Sequence, residues 1–219
     1  MAVSAVILDV DGTIASCPYD FDAIRAVVEQ TAATWGYRSA HARLSGIIER
    51  IEAIAAELGN EGAGFREEAY RAVVALEISG ARADCLLPGA AEALAHLRRH
   101  GILLGLITRN CRAATETVLS GFDAYDLVLT RDDVPRPKPD PDHVLRALTA
   151  FHCPPTRAAV AGDHTFDMQA GRAAGVGFCI GVRTGSSSDQ SLLAAGADVV
   201  IGSVADLPEW LLSARRPTR

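Results

Sequence analysis

Asp9 and Asp11 stand one residue apart and are followed by Gly12 and Thr13, directly after the short apolar run Val3 to Leu8. A second apolar run, 102–107, closes with Thr108, Arg109 and Asn110; a third, 127–129, leads through a proline-rich stretch, 135–141, that contains Lys138. A fourth run, from Ala158, ends in Gly162 and Asp163, with Asp167 four residues on. If these runs are parallel strands, their carboxyl ends gather four carboxylates, one ammonium and a hydroxyl, at the place where open α/β sheets bind ligands. Such a concentration of carboxylates is unfavourable unless a divalent cation neutralises part of it. Oxygen donors with no convincing His or Cys among them suit Mg²⁺, which keeps waters that phosphate oxygens can replace. Asp-x-Asp-Gly also opens calcium loops, but such a loop needs Asp or Asn at position 13 and Gly at 14, where Thr13 and Ile14 stand. Lys138 is the sole lysine among 21 basic residues. A compact ammonium is not interchangeable with a planar guanidinium, so this position is marked as one where a point charge matters.

The elements that position these residues follow from hydrophobic rhythm. Apolar, partly β-branched runs at 3–8, 102–108, 127–130, 158–163, 177–181 and 198–201 alternate with helical segments near 89–100, 142–151, 166–174, 189–195 and 205–212, and a further helix follows Asn110. Strands alternating with helices predict an α/β fold, a doubly wound parallel sheet with a Rossmann-like core. Between about 15 and 84 no strand-like run occurs. Phe21, Ile24, Val27, Val28 and Thr31 share one face. Leu44, Ile47, Ile48, Ile51, Ile54, Ala55 and Leu58 repeat at three- and four-residue spacing. The glycines from Gly59 to Gly64 are expected to break this pattern before a third helix from Phe65 to Ile78. The expected division is therefore a core of 1–14 plus 85–212, an inserted all-helical segment of 15–84, and a frayed tail of 213–219.

Composition narrows the function classes. With 219 residues, 49% hydrophobic and 22% charged, the chain can bury a sizeable core and is not wholly disordered. A net charge of −6 argues against a general nucleic-acid binder, and no apolar run approaches a membrane span. The start carries no basic leader, and the expected location is cytoplasmic, with no membrane partner. Five cysteines at 17, 85, 111, 153 and 179 form no C-x-x-C pair and are expected to be free thiols. There is no Walker A sequence and no G-x-S-x-G elbow.

Taken in order, Asp9-Val10-Asp11-Gly12-Thr13, then Thr108, then Lys138 within Arg136-Pro137-Lys138-Pro139, then Gly162-Asp163 with Asp167, resemble the four motifs of the haloacid-dehalogenase-like hydrolases. The resemblance covers essentially the whole chain, and the insert is similar to the helical cap of the phosphoglycolate-phosphatase-like branch. It implies a phosphatase acting on a small phosphorylated metabolite, with Asp9 as nucleophile and Asp11 as general acid and base. Mg²⁺ would rest on Asp9, the backbone carbonyl of Asp11, and Asp163. Thr108, Arg109, Asn110 and Lys138 would hold the phosphoryl group, with Asp167 supporting. Asp11 speaks against a dehalogenase, which does not use an aspartate two residues past the nucleophile. The insert has no lysine for the Schiff base of the family's phosphonate cleavage. A sugar phosphomutase on the same core and a non-catalytic phosphate-binding protein are the alternatives, and a monomer or homodimer is expected. Ala15 and Ser16 depart from relatives that continue with an acidic residue, which bears on substrate preference.

Overall fold

The computed structural model describes residues 3–38 and 46–213. The chain divides into two compact units, one of Met1–Cys17 with Arg82–Arg219, the other Pro18–Ala81. The first strand of the larger unit is β1 (Ala5–Asp9), buried along its whole length. The smaller unit holds α1 (Phe21–Thr34), α2 (Ile47–Glu57) and α3 (Gly62–Gly80). Back in the larger unit come α4 (Ala90–Arg99), β2 (Leu103–Ile107), α5 (Arg112–Val118) and β3 (Leu127–Leu129). The chain continues with α6 (Asp142–Ala150), β4 (Ala158–Gly162), α7 (Thr165–Ala174), β5 (Phe178–Val182), α8 (Asp189–Ala194), β6 (Val199–Ile201) and α9 (Leu207–Ser213).

The six strands form one parallel sheet in the order β3-β2-β1-β4-β5-β6. Parallel strands covered on both faces must be apolar throughout, which is why AVILD and AAVAG read as continuous runs and not as alternation. The chain leaves β1 towards β2 and β3, then returns to β1's other side at β4. This reversal opens a crevice at the strand ends. In the register, Asp9 lies beside Ile107 and Leu8 beside Ala161, so β1, β2 and β4 end almost level. One layer of the core packs Ile7, Ile107, Val144, Leu148, Val160 and Met168 between sheet and helices.

The smaller unit has its own core of Ile24, Val28, Ile51, Ile54, Phe65 and Val73. Asp20 caps α1, its Oδ1 accepting from the Ala23 N–H at 2.8 Å. The expected glycine break is shorter than the sequence implies: Gly62 and Gly64 lie inside α3. A Cβ at Gly62 would sit 2.0 Å from the Ala55 carbonyl oxygen, and one at Gly64 would sit 2.5 Å from the Trp35 ring. These glycines let α3 approach α2 and Trp35 closely, and do not interrupt a helix. Leu44 and the tail beyond Ser213 lie outside the described residues.

The expectation of five free thiols needs correction. Cys17 and Cys85 are joined as a disulfide with Cα atoms 5.2 Å apart, while Cys111, Cys153 and Cys179 are free. Sequence spacing conceals this pair because the two residues are 68 apart. An antiparallel bridge between Ala15 and Leu86, with the Ser16 N–H donating to the Cys85 carbonyl at 2.7 Å, brings them together.

Gly62→Ala tests the close approach. Gly62 is the first residue of α3, and within a helix this change ordinarily stabilises by up to about 1 kcal/mol. Here the clash is with backbone, and overpacking should instead destabilise by about 1–3 kcal/mol. Urea unfolding of the full chain gives the sign, and a stabilised variant would show that α2 and α3 are not in contact at this point.

Candidate active site

Asp9 ends β1 and is 7% exposed; Lys138, on the loop after β3, is 2% exposed. A buried ammonium survives only with partners. Lys138 Nζ donates to Asp9 Oδ1 at 2.5 Å and to Asp167 Oδ1 at 2.6 Å. Asp167 is in the first turn of α7, where its Oδ2 also accepts from the His164 N–H at 3.0 Å in a capping box. The ordinary surface lysine that an isolated Lys138 would suggest is thus a buried bridge between two carboxylates.

Electrostatics follows from this packing. Burial pushes the Asp9 carboxyl well above its ordinary value, against the pull of Lys138, and Asp167, Asp163 and Asp11 push it further. Burial alone would lower the Lys138 ammonium, but Asp167 and Asp9 outweigh it and hold its pKa above the usual lysine value. Asp163 is raised by burial and then by Asp167, with the Ser186 N–H opposing. Four carboxyl groups therefore crowd one ammonium.

Asp9, Asp163 and Asp167 each present an oxygen within 4.8 Å of the others, the one metal-capable cluster among the described residues. The donors are all hard oxygens in a buried, electron-rich setting, and they fit Mg²⁺ better than softer metals. The Asp11 side chain is not in this cluster. Its Oδ2 accepts from Thr108 Oγ1 at 3.2 Å and from Asn110 Nδ2 at 3.0 Å. Thr108 in turn accepts from the Asn110 N–H at 3.1 Å, so the end of β2 serves Asp11. Arg109 turns the other way. Its Nη1 donates to the Lys138 carbonyl at 2.6 Å and its guanidinium lies 4.7 Å over the Phe166 ring. All eight site positions singled out in the sequence lie in the larger unit at the carboxyl ends of β1, β2 and β4 and the loop after β3.

Beyond its place in the first motif, Thr13 is given no site role by the sequence. It is fully buried, and its Oγ1 lies 3.3 Å from Asp9 Oδ2 and 3.4 Å from Asp163 Oδ1. Its place beside Gly12, after a carboxylate pair, is the signal that it faces the strand end. His164 is the N-cap of α7, accepting from the Phe166 N–H through Nδ1 at 3.1 Å, a structural role.

His143, on α6, is fully buried, with Nε2 donating to the Thr130 carbonyl at 2.9 Å and Nδ1 without a hydrogen-bond partner among the described residues. Burial pushes its pKa down to about 4; Thr130 and Asp133 oppose, and Lys138 and Arg109 add to the lowering.

Comparison with known proteins gives the family and the fold. A family model described as haloacid dehalogenase-like hydrolase matches residues 3–175. A plasmid-borne phosphoglycolate phosphatase of Cupriavidus necator is 28% identical, over 97% of this chain and 94% of that protein. The solved structure of CbbY from Rhodobacter sphaeroides in complex with phosphate is 26% identical, with a TM-score of 0.63 over 94% of this chain and 96% of that one. A β-phosphoglucomutase from Clostridium difficile, 21% identical, shares the fold with a TM-score of 0.70 over 96% of each chain. Among the described residues no helix is long and apolar enough to cross a membrane.

His143 yields a pH prediction. Between about pH 4 and the ordinary 6.5, the unfolded chain binds a proton that the folded chain refuses. Stability should therefore rise with pH across that window and be lost as pH falls, by at most about 1.4 kcal/mol per pH unit. His143→Gln should flatten that part of a plot of thermal midpoint against pH, and an unchanged slope would assign the dependence to other groups.

Proposed function

The chain belongs to the haloacid dehalogenase-like hydrolases, on the phosphoglycolate-phosphatase-like branch, and from this premise we propose that it hydrolyses a small phosphate monoester through a phosphorylated Asp9. The observation that carries the reading is the buried Asp9 carboxylate at the switch point of the sheet, 2.5 Å from the chain's sole lysine. A carboxylate attacking an anionic phosphate needs its repulsion cancelled, and Lys138 is placed to do part of this.

In the first step an Asp9 oxygen bonds to phosphorus, the bond to the leaving alkoxide breaks, and Asp11 gives that oxygen its proton. Asp11 is suited to this because Thr108 and Asn110 fix its Oδ2 and so orient the carboxyl. In the second step a water attacks the phosphoaspartate, Asp11 takes the water's proton, and inorganic phosphate leaves with Asp9 regenerated. Thr108 and the Arg109 and Asn110 backbone N–H groups line the end of β2, where phosphoryl oxygens would be held. Lys138 stays charged throughout because Asp167 remains bound to it. Asp9, Asp163 and the backbone carbonyl of Asp11 would hold Mg²⁺, with Asp167, whose oxygen lies within 4.8 Å of those of Asp9 and Asp163, in support. When bound, the ion supplies positive charge that the single ammonium lacks. The helical unit serves as the cap, and the substrate is a small phosphorylated metabolite, for which the phosphoglycolate phosphatase likeness makes phosphoglycolate the first candidate.

Phosphate release from a panel of small esters, with and without Mg²⁺, tests the proposal. Metal-dependent release is expected, and Asp9→Asn should lose it by about a thousandfold or more while retaining the fold. Lys138→Arg should lower kcat by about tenfold to a hundredfold, because a guanidinium fork does not fit between two carboxylates spaced for an ammonium. An active Asp9→Asn enzyme would overturn the nucleophile assignment. Turnover that appears only with a sugar bisphosphate present would replace the phosphatase with a phosphomutase.

A further inference from the structure

The loop that follows β5 touches the site, although no family motif falls on it and its sequence, Thr184-Gly185-Ser186, reads as an ordinary small-residue turn. The Ser186 N–H donates to Asp163 Oδ2 at 2.9 Å, with the Ser186 hydroxyl 3.5 Å from the same oxygen. Gly185 lies flat against the carboxylate: a Cβ there would sit 1.8 Å from Asp163 Oδ2 and 2.1 Å from its Cγ. A second glycine also adjoins this carboxylate. A Cβ on Gly12, whose φ is +90°, would be 2.6 Å from Asp163 Cγ. The two glycine segments are tied together, because Thr184 Oγ1 donates to the Gly12 carbonyl at 2.6 Å. The Thr13 hydroxyl lies 3.4 Å from Asp163 Oδ1. Asp163 is therefore held in a slot that the two missing side chains leave, with one oxygen pinned from the β5 side.

We propose that Thr184, Gly185 and Ser186 form a positioning loop that fixes the Asp163 carboxylate for a small divalent cation and thereby selects Mg²⁺ over Ca²⁺. The inference rests on the metal reading given under Proposed function. Its physical basis is that Mg²⁺ demands near-ideal octahedral geometry at short distances, whereas Ca²⁺ accepts irregular, longer coordination. A slot that stops the carboxylate from rotating favours the stricter ion, and loosening or displacing the carboxylate should harm Mg²⁺ binding more than Ca²⁺ binding. None of the three residues touches the reacting atoms; each acts through Asp163.

Gly185→Ala is a selective probe. Its backbone φ is not in the left-handed region and the residue is exposed, so the added methyl meets the Asp163 side chain without backbone strain of its own. Titration calorimetry on the full chain with Mg²⁺ alone and with Ca²⁺ alone, without substrate, reads the effect. Gly185→Ala should weaken Mg²⁺ binding about tenfold and Ca²⁺ binding clearly less, with the thermal midpoint of the metal-free protein unchanged. Thr184→Val should weaken Mg²⁺ binding in the same sense, and Thr184→Ser, which keeps the hydroxyl, should restore it. This pair decides the matter if Gly185→Ala does not fold. Equal Mg²⁺ affinity in wild type and variants, or equal losses for both ions, would overturn the loop's role. Failure of the wild type to bind Mg²⁺ would overturn the metal reading together with it. Altered Mg²⁺ affinity in a protein that hydrolyses no ester would sustain the loop and remove only the phosphatase.

Discussion

The ammonium of Lys138, enclosed between Asp9 and Asp167, is the constraint around which the larger unit is arranged. The three groups are buried together, and removing any one of them would leave an uncompensated buried charge. Satisfying the three charges together needs the end of β1, the first turn of α7 and the loop after β3 to meet at one place. Arg109 and His164 act in support. Arg109 holds the carbonyl of Lys138, and the His164 N–H holds the second oxygen of Asp167. The Lys138–Pro139 peptide bond in that loop is cis.

Sheet topology makes this meeting possible. With β1 central and β2 and β4 on either side, Asp9 emerges between Thr108 and Asp163, each of which ends or follows a neighbouring strand. The same side chains on a different strand order would be scattered along the sheet edge. The two ends of the site then divide the labour. The β4 side crowds carboxylates around Lys138, and the β2 side offers neutral donors to Asp11. Such a division keeps two carboxyl groups that are neighbours in sequence in different environments.

Much of this was legible in the sequence because strands buried on both faces announce themselves as apolar runs, and each ended in a polar residue with chemistry to offer. The placement of Asp9, Thr108 and Asp163 at strand ends needed only that rhythm and the rule for parallel sheets. Contacts made at long sequence separation were not legible. Thr184 to Ser186 reach Asp163 across a β-α connection, and nothing in a Gly-Ser run distinguishes a clamp from a turn. Gly62 and Gly64 were misread for a related reason: a glycine that ends a helix and one that admits a neighbouring helix have the same letter. Only the partner's proximity, here Ala55 and Trp35, tells them apart.

The bond between Cys17 and Cys85 gives the polypeptide an unusual thread. Pro18–Ala81 becomes a lasso whose neck is stitched shut, rather than a stretch of chain spliced between two distant points. A ring of that span restricts the disordered chain by on the order of 4 kcal/mol in chain-entropy terms.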